Sequence, residues 1–387
     1  MRDLHPKLLV RHFVSKFSFA AAVAATLLLE QVQPCTAEDL PLDLIQLPPG
    51  FQIEIYASGV ANARAMTLGN KGSLFVGSRS AGNVYALVDQ NQDMLSDKIY
   101  VVAEGLHAPS GVAFKDDALY VSAVDRILRY DKIESQLENP PAPVTVTNKL
   151  PNNRHHGWKF IDFGPDEMLY VPVGAPCNVC LPSDPYGGIL RIDPNRPVIE
   201  MFARGIRNSV GFAWHPETGE LWFTDNGRDM MGDDLPPGEL NRAGKPGLHF
   251  GFPFCHGGTI PDPDPKLASL GACLDAESPV QPLGPHVAPL GIRFYTGGAF
   301  PNEYHNQVLI AEHGSWNRSK KIGYRVSLVR LQDGRPVSYE PFVEGWLDGE
   351  KVSGRPVDLL IAPDGAVLLS DDMNGVIYRI SYSEVSG

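Results

Sequence analysis

The chain has little helical periodicity, few basic residues, few cysteines and no long apolar span. Its 387 residues show almost no apolar repeat at helical spacing and no low-complexity linker, which argues against a helical bundle and against two tethered domains. The apolar run Phe17 to Leu29 is thirteen residues, short of the ~20 a membrane helix needs. Because Arg2, Lys7, Arg11 and Lys16 precede it and Cys35-Thr36-Ala37 offers small residues for cleavage, residues 1–37 fit an export signal better than a retained anchor. Lipidation of Cys35 is disfavoured by Gln33 and Pro34. The expected location is periplasmic or secreted, without stable membrane insertion.

Lys and Arg number 33 against 45 Asp and Glu, and without residues 1–37 the balance is 29 to 43, a formal charge of −14. That excludes nucleic acid and anionic membranes as natural partners. Four of the five cysteines lie beyond the export signal. An even count in an exported chain favours local disulfides, Cys177 with Cys180 and Cys255 with Cys273. A redox-active CxxC is the alternative, but the thioredoxin-like βαβ pattern it needs is missing around it.

What the chain does have is a repeat. Residues 152–174, NNRHHGWKFIDFGPDEMLYVPVG, read as a loop, a strand over Phe160 to Phe163, a polar turn at Gly164-Pro165-Asp166-Glu167 and a second strand over Met168 to Val173. The pattern recurs in GVANARAMTLGNKGSLFVGS, GLHAPSGVAFKDDALYVSA, GIRNSVGFAWHPETGELWFTD, HVAPLGIRFYTGGAFPNEYHNQVLIAEH and SGRPVDLLIAPDGAVLLSD. Aligning the second strands at Leu74, Leu119, Leu169, Leu221, Val308 and Val367 gives spacings of 45, 50, 52, 87 and 59 residues, and most suit a four-stranded propeller blade. The long interval holds an insertion at about 228–285. Phe51 to Ala57 precedes any complete blade, whereas Gly375 to Ser381 ends the last. Pairing them covers both free edges, so the spacing predicts an all-β, six-bladed β-propeller over residues 38–387 closed by its N-terminal strand.

In a propeller the loops entering the inner strands and those joining second to third strands share one face. Seven residues back from the end of each inner strand stand Ala61, His107, His156, Arg207, Ala288 and Arg355. Four of the six are cationic or imidazole-bearing in an acidic chain, which points to an anionic ligand. Asn208 beside Arg207 could serve the same site or an Asx-type turn. The second face loops carry Asp225-Asn226-Gly227-Arg228, Glu312-His313-Gly314-Ser315-Trp316-Asn317-Arg318 and Asp371-Asp372. Carbonyls beside Gly227 could hold a hard cation such as Ca²⁺. The EF-hand-like DQNQD at 89–93 has Met94 in place of the needed Gly and reads as a hairpin turn.

The pieces HHGWKFIDFGPD, GIRNSVGFAWHP, TDNGRD, HVAPLGIRFY, AEHGSWNR and GRPVDLLIAPDG resemble the soluble quinoprotein glucose/sorbosone dehydrogenase family across residues 44–383. The resemblance implies a six-bladed propeller that binds pyrroloquinoline quinone (PQQ) with Ca²⁺ and oxidises a sugar or related aldehyde, passing electrons to an unidentified acceptor. It places His156 on the catalytic base, and Arg207, Asn208 and Arg355 on cofactor contacts. Gly227 and Arg228 fall on the carbonyls that ligate Ca²⁺. His107 and His313 join the cofactor-binding candidates by their place on the same face. Leu106, Val210, Gly314 and Val357 depart from the glucose-oxidising pattern, as does Ala175, which stands where an aspartate orients the histidine. The sorbosone-like branch is the nearer match. A calcium-dependent lactonase would need carboxylates converging on the metal, and a non-catalytic sugar-binding propeller would need neither His156 nor metal.

Overall fold

The computed structural model describes residues 40–196 and 198–384, and the export signal expected at 1–37 lies outside them. Six strands, Leu74–Ser78, Ala118–Ser122, Leu169–Val173, Leu221–Asp225, Val308–Glu312 and Val367–Asp371, are buried along their whole length. Each is the second strand of a blade and is covered on both faces by neighbouring blades. This is why these segments read as continuous apolar runs rather than alternating ones. The outer strands, such as Lys98–Ala103 and Ile199–Arg204, are partly exposed.

Five blades follow directly along the chain, from Ala63–Leu68 to Arg335–Val343. The sixth combines Pro356–Ile361, Val367–Asp371 and Val376–Tyr382 with Phe51–Ser58 from the other end of the chain. The closure is antiparallel and pairs Phe51 with Tyr382 and Ser58 with Val376, as expected from the two unpaired terminal segments. Phe51 is anchored edge-on against Phe300, Tyr304, Phe342 and Tyr382, with ring centroids 4.7–5.1 Å apart. Such pairs add about 0.5–1.5 kcal/mol each beyond burial.

A hydroxyl on the second strand ties several blades to the next inner strand. Ser122 donates to the Lys159 carbonyl, Thr224 to Leu290 and Ser370 to Arg64, at 2.6, 2.6 and 2.8 Å. The approach requires glycine on the inner strand: a Cβ at Gly111 would lie 2.2 Å from the Lys159 oxygen, and one at Gly211 2.3 Å from that of Leu290. The blade-three inner strand, expected over Phe160 to Phe163, has a ladder that covers only Asp162–Phe163.

Blade four contains Pro237–Ala243 and Gln281–Pro285, so within 228–285 the chain returns to its sheet once. The excursion at 244–280 sends Leu248–His249 to pair in parallel with the outer strand of blade three. It then forms a small hairpin, Cys255–His256 with Ile260–Pro261. Cys255 is bonded to Cys273, and Cys177 to Cys180, the two pairings expected from the sequence. Residues 89–97 form a turn in which the Asp89 and Asp97 carboxylates accept from backbone amides. No helix among the described residues is long and apolar enough to cross a membrane.

Candidate active site

At one mouth of the tunnel a cavity of about 520 Å³ is lined by His156, Arg207, Asn208, Gly227, His313 and Arg355 from the sequence candidates. His107 and Arg228 are not among its lining side chains. The physical reason for His107 is register. A left-handed residue recurs where the chain enters the inner strands, at Asn62, Ala108, His156 and Ala288. Ala108, not His107, thus takes the place of His156 in blade two, and His107 is exposed. The Arg228 side chain turns away to Asp262 in the excursion, leaving only its backbone near the cavity wall beside Gly227.

His156 is held by one bond. Its Nδ1 lies 2.9 Å from the Ala175 carbonyl. Since a carbonyl only accepts, Nδ1 carries the hydrogen and Nε2 is left as the acceptor. Ala175 therefore orients the ring through its backbone, without a carboxylate. Burial first, then the charge of Arg207 and the neighbouring His155, lowers the imidazole pKa to about 3. The ring is neutral at physiological pH. Gly174 makes room for it: a Cβ there would lie 2.5 Å from that of His156 and 3.0 Å from Asn208 Oδ1.

Arg207 is committed to the protein. Its Nε donates to the Asn178 carbonyl at 2.9 Å, Nη1 to the Asn226 carbonyl at 3.1 Å, and Nη2 to Asn178 Oδ1 and Asp229 Oδ2 at 2.9 and 2.8 Å. Four of the five guanidinium hydrogens are used, and the residue is 4% exposed. The backbone amides of Arg207 and Asn208 both donate to Asp225. Asp225 faces Glu239 across the sheet, and burial together with that second carboxyl pushes it above the usual carboxylate range. The Asn208 carbonyl accepts from Asn226, while its side-chain amide has no protein partner among the described residues.

On the opposite side, Arg355 spends only Nε, on the His313 carbonyl at 3.4 Å. Arg79 lies over the Trp158 ring at 4.1 Å, and Arg154 stands beside His155. None of Arg79, Arg154 and Arg355 has a carboxylate partner among the described residues, although all three line the cavity. Arg64, by contrast, is paired with Asp372 at 2.9 Å. His313 Nε2 donates to the same carboxylate at 2.8 Å. Burial outweighs that bond and lowers His313 to about 4, so His313 is a neutral donor rather than a cation. Burial opposes the charge on Asp372, but the His313 bond and the Arg64 and Arg355 charges hold it below the ordinary range. The floor is apolar where Leu290 and Trp158 line it, with Val210 and Val357 packed against them.

Arg79 and Arg64 were missed by counting back from inner strands. Arg79 directly follows the blade-one strand Leu74–Ser78 and could have been found by extending the second-to-third strand comparison to blade one. Arg64 lies within an irregular stretch of the inner strand, between Ala63 and Met66, where counting fails.

Two consecutive loop carbonyls, of Gly227 and Arg228, accept no hydrogen bond among the described residues, a donor set suited to a hard cation. No group of three His, Cys, Asp or Glu side chains among the described residues is placed to hold a metal. The chemistry of the lining, three guanidiniums without carboxylate partners among the described residues in a cavity within the roughly 300–1,000 Å³ typical of small-molecule sites, fits a flat polycarboxylate.

Fold and site together define a six-bladed propeller with a cationic cavity at one mouth. The TrAA12-like family model matches residues 199–383. An uncharacterized protein of Borreliella burgdorferi is 34% identical over 361 residues, covering 88% of this chain and 92% of the relative. The PQQ-dependent pyranose dehydrogenase of Coprinopsis cinerea is 23% identical over 89% of this chain, which spans 56% of that protein's length. The solved holo PQQ domain of the pyranose dehydrogenase from the same fungus superposes with a TM-score of 0.75 at 18% identity, over 87% of this chain and 97% of that one. The calcium structure of the Trichoderma reesei AA12 enzyme does so with 0.73 at 21%, over 88% and 97%. The chain belongs to one family with the Borreliella burgdorferi protein, and its C-terminal part resembles the TrAA12-like family.

Proposed function

We propose that the protein is an exported sugar dehydrogenase that binds PQQ and Ca²⁺ in the cationic cavity and oxidises a pyranose or a related sugar aldehyde. The observation that carries this reading is the set of three guanidiniums without carboxylate partners, Arg79, Arg154 and Arg355, around one cavity of a chain with formal charge −12. A tricarboxylate is the kind of ligand that such a set binds, through charge-assisted and bidentate bonds. Asn208 adds a neutral amide, and the apolar floor and Trp158 suit a planar ring. The Gly227 and Arg228 carbonyls would hold the cation.

When bound, PQQ with Ca²⁺ supplies a polarised ortho-quinone able to accept hydride. The chain supplies the rest. His156, fixed as the Nδ1–H tautomer, takes the sugar hydroxyl proton at Nε2 as the C–H bond of the same carbon breaks. The electrons leave to an acceptor outside this chain. A lactonase with its metal held by converging carboxylates is disfavoured, because the described residues offer no such cluster. Two disulfides fit an oxidising compartment.

The test is reduction of an electron-accepting dye by the purified protein with PQQ, Ca²⁺ and a panel of pyranoses, sorbosone and lactones. Sugar-dependent dye reduction that needs both PQQ and His156 is the expected result. Tight sugar binding with no dye reduction would favour the binding propeller, and lactone hydrolysis without PQQ would favour the hydrolase.

A further inference from the structure

The loop Cys177-Asn178-Val179-Cys180 does not line the cavity, yet it touches the two elements on which the proposed site depends. Asn178 makes four polar contacts. Its carbonyl accepts from Arg207 Nε at 2.9 Å, and its Oδ1 accepts from Arg207 Nη2 at 2.9 Å and from the Asp229 amide at 2.8 Å. Its Nδ2 donates to the Asp229 carbonyl at 3.2 Å. The side-chain amide thus pairs with the Asp229 peptide in both directions, as a neighbouring strand would, while holding the edge of the Arg207 guanidinium. The disulfide closes the loop on both sides of this residue, which restricts its backbone before these bonds are made.

We infer that Asn178, fixed by the Cys177–Cys180 bond, is the positioning residue for both Arg207 and the Gly227-Arg228-Asp229 turn. Without the Asn178 side chain, Arg207 keeps the backbone carbonyls of residues 178 and 226 and the Asp229 carboxylate, but loses the acceptor that fixes the edge of its guanidinium. The Asp229 amide then loses its acceptor, and the Asp229 end of the turn that presents the Gly227 and Arg228 carbonyls is held through its carboxylate, by Arg207 Nη2 at 2.8 Å and by Asn317 Nδ2 of blade five at 3.1 Å. Arg207 also lowers the proton affinity of His156, so a displaced guanidinium alters the base as well. The local disulfide is therefore part of the site's geometry, acting at one remove.

The structural arm of the inference is independent of PQQ, and the cofactor arm rests on the proposed function. Hydrogen–deuterium exchange by mass spectrometry on the full chain should show faster exchange over residues 226–231 in Asn178→Ala, which keeps the disulfide, and in the Cys177→Ser/Cys180→Ser double variant, which keeps the amide. Asn178→Asp retains the acceptor for Arg207 and the Asp229 amide but loses the donor, so it should fall between wild type and Asn178→Ala. A general loss of packing would speed exchange in all blades and would not follow that order. Apo-protein titrated with PQQ and Ca²⁺ should bind more weakly in Asn178→Ala, by up to about 10-fold. The KM for sugar at saturating cofactor should be nearly unchanged, since Asn178 does not line the cavity. Unchanged exchange at 226–231 in both the Ala and the double Ser variants would overturn the inference even if wild type binds PQQ. A wild type that binds no PQQ, with exchange responding in the expected order, would refute the proposed function and leave the positioning role standing.

Discussion

Arg207 and Arg355 occupy matching positions in blades four and six, but they belong to opposite kinds of wall. The Arg207 side is closed on itself: four guanidinium hydrogens are spent on Asn178, Asn226 and Asp229, and the neighbouring His156 has its Nδ1 spent on Ala175. The Arg355 side is open, with a single long bond to the His313 carbonyl and Arg79 lying on Trp158 without a counter-ion. Equal register therefore does not mean equal role. The closed wall holds geometry and a neutral imidazole. The open wall holds unspent positive charge.

The largest effect that would sharpen this contrast is on turnover. His156→Ala removes the proton acceptor of the closed wall and should cost about 10²–10⁴-fold in kcat, with PQQ titration of the apo-protein unchanged. Normal turnover in this variant would remove His156 from the mechanism. Arg355→Ala should show the reverse, roughly 10–100-fold weaker PQQ binding with activity largely restored by excess PQQ.

Arg207→Ala should act on stability before binding. It takes one partner each from the half-buried Asp229 carboxylate and Asn178, and losing such bonds costs about 0.5–1.5 kcal/mol each, more for the charged group. A lowered Tm and a smaller loss of PQQ affinity than in Arg355→Ala are the expected outcome. If Arg207→Ala keeps its Tm and loses PQQ as Arg355→Ala does, the distinction between the walls collapses.

pH separates the walls more gently. His156 is held at about 3 by burial and by Arg207, so it is charged, and useless as a base, only below that value. In the free enzyme kcat/KM should show no limb near pH 6.5 from this group, only one below about pH 4. A limb near pH 6.5 that disappears in His156→Ala would contradict the closed environment. The smallest effect is on stability. His313 titrates at about 4 in the folded protein and near 6.5 unfolded, so between these values the unfolded chain binds more protons. Its contribution is complete above pH 6.5 and is lost as pH falls through 4. His313→Asn should reduce the Tm loss over that window relative to wild type, the difference cancelling the opposite slope from raised buried carboxylates such as Asp358 and Asp371.

The blades were legible because each second strand is sandwiched and apolar throughout, and because an unpaired strand at either end of the sequence implies closure. Both features come from burial, which leaves a pattern in residue type. The walls were less legible. His107 stands outside the cavity lining: a loop one residue longer or shorter leaves no mark in composition, while the left-handed backbone falls at Ala108 in blade two and at His156 in blade three. Ala175 looked like a lost contact, but its carbonyl does the work that a side chain was expected to do. The hydrogen bonds that fill Arg207 come from Asn178, twenty-nine positions away, and no local pattern announces them.

The most direct test of the account is a titration of purified apo-protein with PQQ in the presence of Ca²⁺, followed by addition of a pyranose, with the quinone absorbance recorded throughout. One PQQ per chain is expected, with binding weakened in Arg355→Ala and in Arg79→Ala, and with loss of the quinone band on adding sugar in wild type but not in His156→Ala. A wild-type protein that binds no PQQ, or binds it equally well after both arginines are removed, would contradict the claim that the open wall is built for a polycarboxylate cofactor.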